Sequence, residues 1–472
     1  MVASDTPTPN AVTAAFDWPL AYEAEQFLRD QIERLLAQHA GARRLAERMR
    51  DETGTDFYEW VDHVVVGPGG EEAMRAVGLA KALAAAPEGM TVWHHPRAMM
   101  PRVLVASAAK AGEGGRTESG PAVLAIRPES LEDFLVAQKI TAPIEGAVGG
   151  RLRRALLSEE NGVRLEAVER LGYRDFQLES PSVDFATKVA QVRALFHGRR
   201  RDFADDAAGF AHADAVLTAA LALVPRDVAC ELFFAEERVF WETRNHAARV
   251  QKRRQDVLGL GWGNHDHHTF RCSRRHFGDL VNFLTRLGLE KRERFYAGDE
   301  AGWGAQVMES PAVGIVVFAD VDLQPGEVDL DFAAQPLAPL PALRTVGLWC
   351  ALHGDSFLQA GMHHLEARFD FGRLRDQLAT EGINTMKPFS DFPFLKQAFT
   401  EGERWSVQPE RIAALQAAGL VTAEQAAVFA RDGAIGSHLE NLQRKGGFKG
   451  FNQKAVSAII AATDPRLQAA AH

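Results

Sequence analysis

The stretch NHDHHTF (Asn264 to Phe270), followed after four residues by RHFGDLVNFLTRLG (Arg275 to Gly288), decides how this chain folds. Its first part reads as a strand. In its second part Phe277, Leu280, Val281, Leu284 and Leu287 fall on one helical face, and Gly288 closes the helix as a C-cap. Short strand-like runs follow at ERFYA (293–297), GAQVME (304–309) and VGIVVFA (313–319). The order is β, α, β, β, β.

Working outward, the same order recurs on both sides, which marks an internal repeat. Upstream, WVDHVVV (60–66) reads as a strand, GPGG as a turn, Glu71 to Ala85 as a helix, and TVW, RVLVAS and AVLAI as the three strands that complete the module. Downstream of a proline-spaced linker, QPLAPLP (335–341), GMHHLEARFD reads as a strand, and Phe371, Leu374 and Leu378 mark a helix stopped by Gly382. A second helical stretch, Pro409 to Ala430, leads to a last strand, SHLENLQR. The pattern predicts an α+β protein with at least three βαβββ-type modules, the last two adjoining.

Two other stretches are helical. Residues 21–50 form a leader with apolar residues at helical spacing, and 181–258 is rich in Ala, Arg and Leu without strand alternation, a packing element without catalytic residues. The expected domains are 1–180, the leader plus an N-terminal module domain; 181–258, a helical connecting or inserted region; and 259–472, a C-terminal domain of paired modules. Lys and Arg number 53 against 63 Asp and Glu, a net charge of −10, so no global positive field exists to hold a nucleic-acid backbone. The local knot Arg199, Arg200, Arg201 reads as a solvated helix end. Three widely spaced cysteines make no disulfide framework and fit a reducing compartment. The N-terminus shows no signal-peptide pattern, and the apolar run from Val216 to Val224 is too short to span a bilayer, so a cytoplasmic protein without membrane partners is expected.

Histidine is the unusual residue. His265, His267 and His268 crowd one module-opening strand, and His363 and His364 another. Alternation along a strand puts His265 and His267 on one face and His268 on the other, and separates His363 from His364. One inward histidine per strand would ordinarily be a hydrogen-bonded core residue. Equivalent positions in repeated modules instead supply two imidazole ligands, which a carboxylate completes as a facial triad suited to Fe(II) oxygen chemistry. The downstream carboxylates are Glu366, Glu401, Glu403 and Glu440. Glu440, between apolar Leu439 and Leu442, needs a partner in a short buried strand, either a metal ion or Arg444.

The run HLENLQRKGGFKGFNQKAVSAII (438–460) resembles the C-terminal signature of the 4-hydroxyphenylpyruvate dioxygenase and hydroxymandelate synthase family of the vicinal oxygen chelate superfamily, with Glu440, Gln443, Arg444, Gly447, Phe448 and Asn452 in the family's order. GMHHLEARFDFGRLRDQLATEGI is similar to the strand and helix bearing the family's second metal histidine, and Asp266-His267 matches the first. The resemblance covers roughly 260–472. It implies vicinal-oxygen-chelate-type half-barrels, Fe(II) held by His267, His364 and Glu440, and Phe448, Asn452 and Gln443 about the substrate. It also implies oxidative decarboxylation and hydroxylation of a 2-oxo acid similar to 4-hydroxyphenylpyruvate, with dioxygen as co-substrate. Superfamily members often pair, so a homodimer is compatible with it. Lys449 and Phe451 interrupt the family's glycine-rich turn and Gln453 replaces an aromatic clamp, which separates the iron class from the substrate.

WVDHVVVG is similar to another module-opening strand of the superfamily, and the dioxygenases carry a non-catalytic N-terminal duplicate, so His63 is expected to be structural. The 2-oxoadipate dioxygenase/decarboxylase family, which also uses two histidines and a glutamate, supplies an alternative: His63 with His267 and Glu401 or Glu403. There, Gly67 replaces that family's substrate-binding arginine four residues after the first histidine. An extradiol-type or isomerase metalloenzyme, without decarboxylation, and a non-catalytic metal-binding module protein remain as further readings.

Overall fold

The computed structural model describes residues 18–107, 121–298, 301–327, 330–452 and 464–466. Gln453 and the closing helix expected after it lie outside these residues. The leader forms α1 (Tyr22–Gln38) and α2 (Ala40–Thr53), with Leu28, Ile32, Leu35 and Leu36 of α1 and Leu45 and Met49 of α2 turned into the core.

The N-terminal half contains two modules. The first is β1 (Val61–Val66), α3 (Glu71–Ala76), β2 (Ala80–Lys81), β3 (Met90–His94) and β4 (Arg102–Ala106). The second is β5 (Ala122–Ile126), α4 (Leu131–Gln138), β6 (Ile144–Glu145), β7 (Leu152–Glu160) and β8 (Val163–Arg170). This corrects two expectations. The helix from Glu71 stops at Ala76 because Gly78 turns the chain at φ +87. AVLAI opens the second module rather than ending the first: it runs antiparallel to β1 and parallel to β8.

Four helices follow: α5 (Phe185–His197), α6 (Asp206–Leu221), α7 (Arg226–Glu242) and α8 (His246–Val257). They share one hydrophobic cluster with the C-terminal sheet, where Phe233 of α7 packs against Phe283 and Phe357 at ring distances of 5.1 and 6.1 Å. Arg199 is not at a solvated helix end as expected. It is buried against Glu237 of α7, which also binds Arg201, while Arg200 stays exposed.

The C-terminal half repeats the plan. Its first module is β9 (His265–Arg271), α9 (Phe277–Arg286), β10 (Glu290–Tyr296), β11 (Trp303–Ser310) and β12 (Ile315–Asp322). After α10 (Thr345–His353) the second is β13 (His364–Arg368), α11 (Phe371–Thr380), β14 (Ser390–Phe392), β15 (Leu395–Phe399), β16 (Glu403–Trp405), α12 (Pro409–Ala417), α13 (Ala423–Asp432) and β17 (Ala434–Arg444). The apolar stripe of α9 is buried as its spacing demands, each large side chain contributing about 1.5–3 kcal/mol.

The sheet orders are β2-β3-β4-β1-β5-β8-β7-β6 and β10-β11-β12-β9-β13-β17-β15-β14, with β16 pairing β17 off that path. In each, the opening strands of two modules lie side by side and antiparallel, and each opening strand runs parallel to the last of its module. This is the α+β architecture of paired βαβββ modules with added helices. Among the described residues no helix is long and apolar enough to cross a membrane.

Candidate metal centre

At the centre of the C-terminal sheet, register brings the chemistry together. The β9–β13 pair sets His267 opposite Glu366, and the β13–β17 pair sets Glu366 opposite Glu440. His364 and Glu366, two apart on β13, share a face. All four side chains are buried. Ligand atoms of His267, Glu366 and Glu440 lie within 4.8 Å of one another. Glu366 Oε1 is 2.8 Å from His267 Nε2 and 2.5 Å from His364 Nε2, and His364 Nε2 is 3.7 Å from Glu440 Oε2.

A further set of groups orients these. Nδ1–H of His267 donates to Asp266 Oδ1 at 2.9 Å, so the neutral ring turns the Nε2 lone pair inward. Asp266 accepts two bonds from Arg444, at 3.1 and 3.2 Å. Burial pushes the Asp266 carboxyl up, but Arg444 and His267 outweigh it and hold it well below the usual range. Burial holds the His267 and His364 imidazoles neutral. Gln397 donates to Glu440 Oε1 at 2.8 Å. Burial raises Glu440 to about 7 and, with Glu440 beside it, pushes Glu366 well above the carboxylate range.

The donor set fits a divalent cation. Lone pairs of the His267 Nε2 and a carboxylate oxygen face each other at hydrogen-bond distance, Glu366 Oε2 is buried without a partner, and two carboxyls share a site too dry to ionise both without a positive charge. A cavity of about 50 Å³ opens on the cluster, walled by Phe295, Trp303, Phe318, Phe389, Phe399 and Phe451.

His267, His364 and Glu440 therefore come together, with Glu366 between them. Arg444 pairs with Asp266, not with Glu440 as one sequence alternative had it. His265 does not share the face of His267: a bulge at the β9–β13 pair re-aims it, and its ring lies 5.5 Å from that of His268. Gln443 points away from the cavity and accepts from the Phe371 amide. Phe448 packs on Phe394 at 5.0 Å, and Asn452 donates to the Phe389 carbonyl at 3.4 Å; neither lines the cavity, whereas Phe451 does. The left-handed pair Gly446 and Gly447 sets this register of the turn. The triad of His63, His267 and Glu403 is not assembled. His63 lies in the other sheet, Glu403 accepts from the His246 amide at the start of α8, and Glu401 accepts from Asn384 at the surface.

Arg271 was not singled out from the sequence, although it stands four residues after His267 on the same strand face. It is 2% exposed, makes no ion pair among the described residues, and leaves Nε and Nη2 without partners. Arg271 does not itself line the cavity, but its register neighbour Asp320 does; burial raises that carboxyl to about 8, and no ion pair joins the two.

The N-terminal sheet keeps part of this device. His63, Ala125 and Glu166 occupy the register positions of His267, Glu366 and Glu440, and Val123 that of His364. Asp62 holds His63 Nδ1 at 2.7 Å and is held by Arg170 at 2.6 and 2.8 Å. Arg170 also binds the Tyr173 and Asp175 carbonyls, as Arg444 binds those of Phe448 and Gly450. Phe176 then meets His63, as Phe451 meets Phe318 over His267.

No family model and no curated protein matches this sequence. Among solved structures, similar chains include a glyoxalase superfamily protein from Ralstonia eutropha JMP134 (12% identity, TM-score 0.32, covering 55% of this chain and 96% of that one). Others are a mutant 4-hydroxymandelate synthase from Streptomyces coelicolor (13%, 0.28, 87% and 99%) and methylmalonyl-CoA epimerase from Mycobacterium tuberculosis (10%, 0.22, 39% and 88%). At these scores the likenesses assign no activity to this chain, and the architecture stands on its own strand order.

Proposed function

We propose that this protein is an Fe(II)-dependent dioxygenase that oxidatively decarboxylates a 2-oxo acid. The observation that carries this is the convergence of His267, His364 and Glu440 in a buried cavity. Those three residues would hold the metal, and Glu366 would stand beside it. Fe(II) bound there supplies chelation of a 2-oxo carboxylate and activation of dioxygen.

The rest is the work of the chain. Asp266 fixes the tautomer and direction of His267, and Gln397 fixes Glu440. Two neutral imidazoles and the Glu440 carboxylate, with Glu366 kept protonated beside them by burial, would leave a divalent ion with net charge +1, which favours an anionic chelator. The aromatic side chains give the cavity an apolar wall, in which Phe451 stands edge-on at 5.0 Å from Phe318 and 5.2 Å from Phe295.

Arg271 favours a second, narrower reading, that of the 2-oxoadipate dioxygenase/decarboxylase type. A buried guanidinium with unpartnered N–H groups, four residues after the first metal histidine, suits a second carboxylate on the substrate. The test is oxygen consumption and carbon dioxide release by anaerobically Fe(II)-reconstituted protein on aryl, aliphatic and dicarboxylic 2-oxo acids, with Glu440→Ala beside it. Turnover lost in the variant supports the proposal. Iron bound without oxygen uptake on any of them refutes it in favour of an isomerase or a binding protein.

A further inference from the structure

The N-terminal sheet encloses a cavity of about 490 Å³, against about 50 Å³ at the metal centre. Two substitutions distinguish it: Val123 and Ala125 stand where the other sheet has His364 and Glu366. Two of four candidate ligands are thus apolar, so the position lacks the donors of a metal centre. The orienting device nonetheless remains. Asp62, paired with Arg170 and Arg102, is held ionised against the cost of burial, and it accepts from Nδ1–H of His63.

The consequence lies at the other nitrogen. Burial keeps the His63 ring neutral, so Nε2 carries a lone pair. Nε2 has no hydrogen bond among the described residues, although His63 is 6% exposed and lines the cavity. An acceptor fixed in this way is matched by a ligand that donates. The second unpartnered group is the Glu166 carboxyl, which makes no hydrogen bond or ion pair among the described residues and is raised by burial. The guanidiniums that line the cavity are already engaged, Arg154 with Glu145, Arg164 with Glu159 and Arg170 with Asp62. A ligand carboxylate would have to displace one of these ion pairs, whereas a hydroxyl finds a prepared acceptor. The walls include Leu104, Leu152, Val168 and Phe176, and Leu156, 41% exposed, stands at the rim where the cavity meets solvent.

We propose that the N-terminal half-barrel is a second, metal-free binding site for a hydroxyl-bearing apolar molecule of the phenol class, whose O–H donates to His63 Nε2 while its body fills the space opened by Val123 and Ala125. The site is independent of the metal centre and of the reaction proposed there.

The probes are phenol and anisole, which differ in the single donor. Full-length protein with ¹⁵N-labelled histidine is titrated with each, and long-range ¹H–¹⁵N spectra read the His63 ring directly. The expected result is saturable binding of phenol that shifts Nε2 of His63 and leaves Nδ1 protonated, with anisole bound about tenfold more weakly. His63→Leu should reduce phenol to the affinity of anisole, Val123→Trp should block both, and Glu440→Ala should change neither. The wild-type titration decides the matter even where a variant fails to fold. Equal binding of the two probes, absence of phenol binding, or a phenol response that vanishes in Glu440→Ala would each overturn the proposal.

Discussion

Glu366 Oε1 stands 2.8 Å from His267 Nε2, although the other nitrogen of that ring already donates to Asp266. Two acceptors at this distance require a proton or a cation between them, and burial supplies the proton by raising the carboxyl. Metal binding must therefore displace protons. Titration of metal-free protein with Mn(II) or Fe(II) should show one ion per chain. Its affinity should fall about tenfold per pH unit per proton displaced as pH drops below the Glu440 value of about 7. Calorimetry in buffers of different ionisation enthalpy counts the protons; zero release contradicts the account.

The ligands should separate by role. Glu440→Ala should abolish stoichiometric iron binding, while Glu366→Gln, which keeps shape and removes charge, should retain it. Equal loss in both, measured by metal content after gel filtration, would make Glu366 a required ligand.

The same carboxyl sets a pH dependence of opposite sign to that of ordinary ion pairs. Glu440 titrates at about 7 folded, against roughly 4.3 unfolded. Between those values the folded state binds more protons, so this contribution to stability is full below the unfolded value and lost as pH rises through about 7. In urea unfolding with chelator present, Glu440→Gln should match the wild type near pH 4. It should exceed the wild type at pH 8, where the buried carboxylate is charged. A variant less stable at pH 8 sinks this prediction.

Asp266 and Arg444 should act through His267. Asp266→Asn or Arg444→Met is expected to weaken metal affinity about 10–100-fold, the usual cost of losing a group that orients a metal histidine. Asp62→Asn, the equivalent change in the other sheet, should leave metal affinity unchanged. A similar loss in all three variants would indicate general destabilisation instead.

Arg271→Met should lower kcat/KM for a dicarboxylic 2-oxo acid about 10–100-fold, as expected for a charge-assisted hydrogen bond, and leave iron content unchanged. Steady-state kinetics against a monocarboxylic 2-oxo acid is the control. An equal effect on both substrates would remove the second carboxylate from the account.

The modules were legible where an opening strand carries polar residues and a strongly amphipathic helix follows, as in β9–α9 and β13–α11. The second N-terminal module was missed for the converse reason. AVLAI holds no polar residue, α4 is short, and β7 and β8 are dense with charge (LRRALLSEE, VRLEAVER), which blurs the alternation. Glu366 stood only among four downstream carboxylates in the sequence; alternation puts it on the face of His364, and the register that sets it opposite both His267 and Glu440 is tertiary. The bulge that re-aims His265 and the Asp266–Arg444 pair are tertiary facts with no local signature. Arg271 did have one, its spacing from His267, which shows only when the count starts from that histidine rather than from His63.

β9, β13 and β17 are proposed to build a single iron centre. Anomalous diffraction at the iron edge from Fe(II)-loaded crystals tests it most directly. One peak is expected, bonded to Nε2 of His267, Nε2 of His364 and a carboxylate oxygen of Glu440, each at about 2.0–2.2 Å. A peak held by other residues, or these three atoms left outside bonding distance of any metal, would contradict it.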